Sequence, residues 1–172
     1  TYATVLSNGS VDLGAGNDKL TLGDFANTAT IVGFETLVGG ANNDTITIGA
    51  ALNGNEIIDL GSGNDKITFG DFVNTATVLN VETIIGGADT DSVTIGSTIS
   101  KGSIDLGAGV DTVTFGNFAN HATLANVESV IGGSSTDTIT LGMIASEASI
   151  DLGSGADKLT LGDFANVLTV AN

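Results

Sequence analysis

The 172-residue sequence has no cysteine, proline, tryptophan or arginine, four lysines (Lys19, Lys66, Lys101, Lys158) and one histidine, His121. Without cysteine there is no disulfide framework and no Cys-ligated zinc. Four cationic side chains against 20 Asp and Glu leave a net charge of −16. Such a surface repels nucleic acid and anionic membranes and attracts cations. No apolar run approaches the ~18 residues of a membrane span, and no signal peptide is visible. Charge of this size often accompanies disorder, but 41% of the residues are apolar and regularly placed, which argues against it.

What the sequence has is glycine, 25 of them, and repetition. VDLGAGNDKLTLG at 11 returns as IDLGSGNDKITFG at 58, IDLGAGVDTVTFG at 104 and IDLGSGADKLTLG at 150, at intervals of 47, 46 and 46. Weaker copies lie between them: VGGANNDTITIG (38–49), IGGADTDSVTIG (85–96) and IGGSSTDTITLG (131–142). The anchor aspartates of the seven units are Asp18, Asp44, Asp65, Asp91, Asp111, Asp137 and Asp157, in steps of 26, 21, 26, 20, 26 and 20.

Alignment on that aspartate gives columns. Four residues before it stands Gly14, Gly40, Gly61, Gly87, Gly107, Gly133 or Gly153; five after it stands another glycine, Gly23 through Gly162. Three after it is always Thr, flanked by apolar residues such as Ile46 and Ile48 or Ile67 and Phe69. Seven before it is Val11, Leu37, Ile58, Ile84, Ile104, Val130 or Ile150. Apolar–polar alternation is a strand with one buried face, and glycines on either side mark turns. Units of 20–26 residues with short strands and no helical period match coils of a solenoid, each stabilised by its neighbours. The spacing therefore predicts one continuous all-β solenoid over 1–172, with about seven coils alternating between 26 and 20–21 residues. At ~4.8 Å per coil the rod is roughly 34 Å long. A start at Thr1 without Met and a stop in "VLTVAN" lead us to expect a fragment of a longer chain. The long units add GDFANTATIVGFETLVGG (23–40) and its equivalents; Phe25, Phe72, Phe118 and Phe164 there read as core or cap residues.

The Gly-x-Gly-x-Asp loop is not a phosphate loop: that needs Lys and Ser/Thr after the glycines and a helix behind them. It is either a plain acidic turn or a calcium turn. Seven carboxylates in one column at ~4.8 Å repel by roughly 0.9 kcal/mol per neighbouring pair even in water, and Asn would turn the chain without that cost. An all-Asp column therefore favours Ca²⁺, which accepts carboxylates and backbone carbonyls in loose geometry.

These units resemble the RTX (repeats-in-toxin) calcium-binding nonapeptide, Gly-Gly-x-Gly-x-Asp-x-apolar-x. LGSGNDKIT (60–68) departs only in having Leu60 for the first Gly, and GGANNDTIT (39–47) only in having Asn42 for the third. The resemblance implies a right-handed parallel β-roll with Ca²⁺ between turns, secreted by a type I system to the bacterial surface or medium. It implies as ligands the seven anchor aspartates and backbone carbonyls around Gly14, Gly16, Gly61, Gly63, Gly107, Gly109, Gly153 and Gly155. RTX units repeat every nine residues, whereas here one turn per coil matches, so a single calcium row is expected. The NTAT…NVETI.GG…DTITLG pattern also resembles the strand repeats of large bacterial S-layer and adhesin proteins.

Asp12, Asp59, Asp105 and Asp151, and likewise Glu35, Glu82 and Glu128, read as solvated faces. The threonine column invites an ice-binding surface, but Lys19, Lys66 and Lys158 interrupt its partner column. A carbohydrate-binding or lyase-type β-helix lacks arginine, and His121 lies in an expected surface loop, so we expect no catalysis. The expected function is a calcium-stiffened structural segment of a surface protein that self-associates or continues into neighbouring coils.

Overall fold

The computed structural model describes residues 4–143 and 145–171, so the outermost ends of the expected 1–172 segment lie outside the described residues. They form two nine-stranded sheets. The first stacks β1 (Ser7–Asp12), β3 (Thr28–Val32), β5 (Thr45–Ile48), β7 (Lys66–Thr68), β9 (Thr83–Gly87), β11 (Gly102–Gly107), β13 (His121–Ala125), β15 (Thr138–Leu141) and β17 (Lys158–Leu161). The second stacks β2 (Lys19–Thr21), β4 (Thr36–Ala41), β6 (Asn53–Ser62), β8 (Asn74–Leu79), β10 (Asp91–Ile95), β12 (Thr112–Phe115), β14 (Ser129–Ile131), β16 (Ser146–Asp151) and β18 (Val167–Ala171). Odd strands pair only with odd strands and even with even, always in parallel. One strand of each sheet makes one coil, and the chain is a parallel β-solenoid eight strand spacings deep, roughly 38 Å.

The predicted class holds, and the coils are shorter than the spacing of the aspartates suggested. The 26-residue unit from Asp18 to Asp44 spans three half-coils, β2 to β5, and the 21-residue unit from Asp44 to Asp65 spans two, β5 to β7. A 46-residue repeat is thus five half-coils. Five is odd, so each repeat starts on the opposite sheet from the one before: Val11 and Ile104 lie in the first sheet, Ile58 and Ile150 in the second.

The alternating apolar positions face inward between the sheets. Leu37, Ile46, Ile58, Ile67, Ile84 and Ile139 have no exposed surface, and the columns run in register, as in Ile46 beside Ile67 and Ile67 beside Ile84. Each fully buried Ile or Leu contributes ~1.5–3 kcal/mol, but only once the next coil covers it. In the last coil Leu161 is 42% exposed for want of such a neighbour.

The threonine column divides with the sheets. Thr47 and Thr68 pair in the first, Thr94 and Thr114 in the second, Thr140 and Thr160 in the first again. The seven anchor threonines therefore do not form one ladder, and other threonines extend each group, Thr30 beside Thr47 and Thr77 beside Thr94. His121 begins β13 on the outer face beside Thr138, at an exposed strand position rather than in a loop.

Glycine is required where coils meet in the turns. Gly107 has φ +89°, and a Cβ there would overlap the carbonyl oxygen of Gly87 in the preceding coil. Gly14 has φ +84° with open space around it. Gly14→Ala is expected to cost about 1 kcal/mol through backbone strain alone. Gly107→Ala should cost at least about 3 kcal/mol, because strain and overlap add. Thermal unfolding of the two variants side by side checks this; equal losses would show that the turn backbones are not in contact.

Candidate cation sites in the turns

A flat coil must turn twice, and at each turn one backbone N–H points along the stack with no strand partner. The side chain at the same place in the next coil accepts it. Through one repeat these residues are Asp65, Asn74, Glu82, Asp91 and Ile99, followed by Asp111, in steps of 9, 8, 9, 8 and 12. In the first repeat the last step, from Leu52 to Asp65, is 13. Glu56 accommodates the extra residue: it is buried, and its Oε2 accepts the N–H groups of Asn53 (2.9 Å) and Gly54 (3.0 Å).

Because successive half-coils alternate edges, the order along one edge is different: aliphatic, Asn, Asp, Asp, Glu. On the first edge Leu6 N–H donates to Asn27 Oδ1 (3.0 Å), Asn27 to Asp44 Oδ1 (2.8 Å), Asp44 to Asp65 Oδ1 (2.7 Å) and Asp65 to Glu82 Oε2 (2.8 Å). The second edge repeats the staircase from Leu52 through Asn74, Asp91 and Asp111 to Glu128 (3.2, 3.1, 2.7 and 2.8 Å). It closes because the glutamate N–H turns back to the carbonyl of the aspartate below it: Glu82 to Asp65, Glu128 to Asp111. No acceptor is then needed above the glutamate, and an aliphatic residue stands there, Leu52, Ile99 or Ala145, each buried.

The seven anchor aspartates consequently do not form one column. Asp44, Asp65, Asp137 and Asp157 precede strands of the first sheet, while Asp18 and Asp111 precede and Asp91 opens strands of the second, so they occupy both edges. The single row expected from the sequence is replaced by adjacent pairs: Asp44 with Asp65, Asp91 with Asp111, and Asp137 with Asp157, whose Oδ1 accepts the Asp137 N–H (2.8 Å). Asp18 donates its N–H to Glu35 (2.6 Å), as Asp65 does to Glu82 and Asp111 to Glu128.

Glu35, Glu82 and Glu128 are therefore caps of the neighbouring coil, not solvated surface. The asparagines Asn27, Asn74, Asn120 and Asn166 are functional positions that sequence reasoning passed over. Asn74 Oδ1 accepts from Leu52 while Nδ2 donates to Gly70 O (3.2 Å), Phe72 O (2.7 Å) and Asp91 Oδ1 (2.9 Å). The signal was present as an Asn nine residues after each full-motif aspartate and, after Asp18, Asp65 and Asp111, a Glu eight later. The phenylalanines in these turns are not core: Phe25, Phe72, Phe118 and Phe164 are 40, 41, 40 and 49% exposed. The Phe72 ring lies against Gly70, where a Cβ would be 2.8 Å from a ring carbon. Asp59 and Asp105 are tied down as well. Each Oδ1 accepts from its own turn, Gly61 N–H (3.2 Å) or Gly107 N–H (3.3 Å), and from Asn80 or Asn126 Nδ2 one coil on (2.7 Å).

One feature of the staircase is unsatisfied. Asp44, Asp65 and Asp111 are 0, 1 and 0% exposed, and the Oδ2 of each has no hydrogen-bond donor. A buried carboxylate oxygen without a partner is costly, and each has a second carboxylate one strand spacing away. Burial drives all three pKa values up, against the opposing effect of the N–H groups they accept. Asp65 and Asp111 reach about 6, with the adjacent carboxylates adding to the rise.

The oxygens around the pair suit a hard cation. At Gly39 the space of an absent Cβ is bounded by Asp44 Oδ2 (2.8 Å) and the Leu60 carbonyl; at Gly63 by Asp65 Oδ1 (2.8 Å) and the Asn42 carbonyl (2.7 Å). The second edge repeats this at Gly86 with Asp91 Oδ2 (2.6 Å) and Leu106 O, and at Gly109 with Asp111 Oδ1 (2.7 Å) and Asp89 O (2.9 Å). Among the described residues no three of His, Cys, Asp and Glu converge, so a cation here would take two carboxylates and complete its shell with backbone carbonyls, a donor set that Ca²⁺ accepts. Of the glycines implied as carbonyl ligands, Gly14, Gly61, Gly107 and Gly153 adopt positive φ at the turn entrance. Gly63, Gly109 and Gly155 lie beside the second aspartate of each pair, and Gly16 beside Asp18.

The chain matches no family model, and no curated protein or solved structure matches it either.

Two outcomes follow for the protein in chelator. Asn74→Leu should cost about 3 kcal/mol by leaving the Leu52 N–H without an acceptor and by removing the amide donor from the Phe72 carbonyl and Asp91 Oδ1, a Tm lower by roughly 6–12 °C. The pH dependence has the sign of a raised carboxylate pKa: the folded chain keeps protons that the unfolded chain, titrating near 4, has released. Stability falls as pH rises from about 4 to about 6, and the full penalty is present above that. Asp65→Asn with Asp111→Asn should flatten the profile of Tm against pH in this window.

Proposed function

We propose that this chain is a structural segment of a repetitive, secreted bacterial surface protein, a β-solenoid rod that serves as spacer, lattice or fibre element and is stiffened by Ca²⁺ between coils. The observation that carries the metal part is the buried, donorless Oδ2 of Asp44, Asp65 and Asp111 in turns already lined by carbonyl oxygens. The rod part rests on repetition without interruption. Among the described residues every half-coil contributes one strand, and the turn residues recur in the same order in each repeat, Asp, Asn, Glu, Asp and an aliphatic residue. The resemblance to RTX units adds the surface location and type I secretion; we assign the segment no catalytic role.

In this reading Ca²⁺ supplies the positive charge that two neighbouring carboxylates lack. The chain's residues do the rest: Asp Oδ1 atoms hold the neighbouring coil by its N–H, the turn glycines leave room for carbonyls to approach, and the core columns set the coil spacing. A cation bound only by the folded state stabilises it by mass action. At millimolar Ca²⁺ the protein should show a β-type circular dichroism spectrum with a Tm well above that in chelator. Identical unfolding curves in the two conditions would overturn the metal part and leave the rod intact.

A further inference from the structure

The turn chemistry is not uniform, and that determines where a cation is needed. Asn turns are neutral and use both side-chain groups; Asn74 satisfies its donors and acceptor within the protein. Glutamate turns are closed by reciprocal bonding, Asp65 N–H to Glu82 Oε2 and Glu82 N–H to Asp65 O. Aliphatic turns carry no charge. A glutamate also follows aspartate on each edge, with its Oε2 on the aspartate N–H. Where aspartate follows aspartate, two carboxylates lie one coil apart in a buried turn, and the Oδ2 of Asp44, Asp65 and Asp111 lacks a donor while that of Asp91 accepts the Gly87 N–H (3.2 Å).

We propose that each 46-residue repeat holds one Ca²⁺ site, formed between successive coils by the pairs Asp44/Asp65, Asp91/Asp111 and Asp137/Asp157, while the remaining turns are capped without metal. The sites alternate between the two edges, because the pairs themselves do: the first and third precede first-sheet strands, the second precedes or opens second-sheet strands. The third site is the weakest, since Asp157 is half-buried and Asp137 Oδ2 already accepts the Gly133 N–H (3.4 Å). Asp18 bonds Glu35 as Asp65 bonds Glu82 and Asp111 bonds Glu128, but among the described residues no second aspartate donates its N–H to it, so it belongs to no aspartate pair.

This placement rests on the calcium reading above, and the test separates the two. Native mass spectrometry and calorimetry with CaCl₂, in buffer with 150 mM NaCl and excess Mg²⁺ to suppress loose binding by the acidic surface, should count three Ca²⁺ per chain. Asp65→Asn with Asp111→Asn should reduce the count to one. Asn retains the Oδ1 acceptor for the Asp44 and Asp91 N–H groups and removes one of the two facing charges. The double variant should therefore be at least as stable as the parent chain in chelator, yet gain little Tm from Ca²⁺. Asp18→Asn should leave the count at three. No bound Ca²⁺ at all would overturn the calcium reading and the placement together. Bound Ca²⁺ with a count unchanged in the Asp65/Asp111 double variant, or reduced by Asp18→Asn, would overturn the placement alone.

Discussion

The backbone N–H at each end of a flat coil points along the stack, away from both sheets, and nothing in the strand ladders can receive it. Left buried and unpaired, each such group would cost a kilocalorie or more, and there is one at nearly every half-coil. The chain meets this with a side-chain oxygen placed one coil further on, Oδ1 of Asn or Asp or Oε2 of Glu. This contact sets the rest of the structure. It locks the coil spacing at the turns to the spacing in the sheets. It also requires the turns to be tight enough for neighbouring backbones to touch, hence glycine at Gly61 and Gly107, where a Cβ would overlap the carbonyls of Gly40 and Gly87.

Each staircase joins five residues by four hydrogen bonds and closes at a glutamate, and the same five turn residues fill the five half-coils of one repeat. Five half-coils per repeat turn the chain over each time, so the two faces and two edges of the rod acquire the same chemistry with an offset of two and a half coils. The acid is concentrated on the edges, where it bonds backbone, while the outer faces of the sheets carry mostly Thr and Ser, as in the Ser92–Thr112 and Thr94–Thr114 pairs. A net charge of −16 is compatible with a compact rod because much of it is engaged with N–H groups rather than opposed to other charge.

The aspartate pairs are where this economy breaks down. Asparagine at Asp65 or Asp111 would accept the same N–H without bringing a second charge into the turn. A carboxylate held there, with one oxygen engaged and the other buried without a donor, makes the turn sensitive to whatever neutralises it. Local rules are obeyed almost everywhere else along the solenoid, and sites that break them are those where function is to be sought.

Strands, core and architecture were legible in one dimension. Ile46, Ile67 and Ile84 occupy columns because alternation with period two requires one face to be buried, and the glycine columns mark turns because backbone must approach backbone there. The second set of caps was present in the text too, as Asn74 and Glu82 at steps of nine and eight after Asp65, but alignment on the aspartate hid them inside a longer unit. What no alignment could supply was the number of half-coils between anchors. Twenty-six residues fit one wide coil as well as three narrow half-turns, since all strands but β6 are only three to six residues long and turns vary. That number determines on which edge an aspartate falls and which carboxylate it meets. The sequence by itself determined a stacked all-β solenoid with acidic, glycine-bearing turns. Only the tertiary structure decided that seven matching aspartates divide between two edges and meet in pairs, because hydrogen-bond partners one coil apart are 17 to 22 residues apart in the chain.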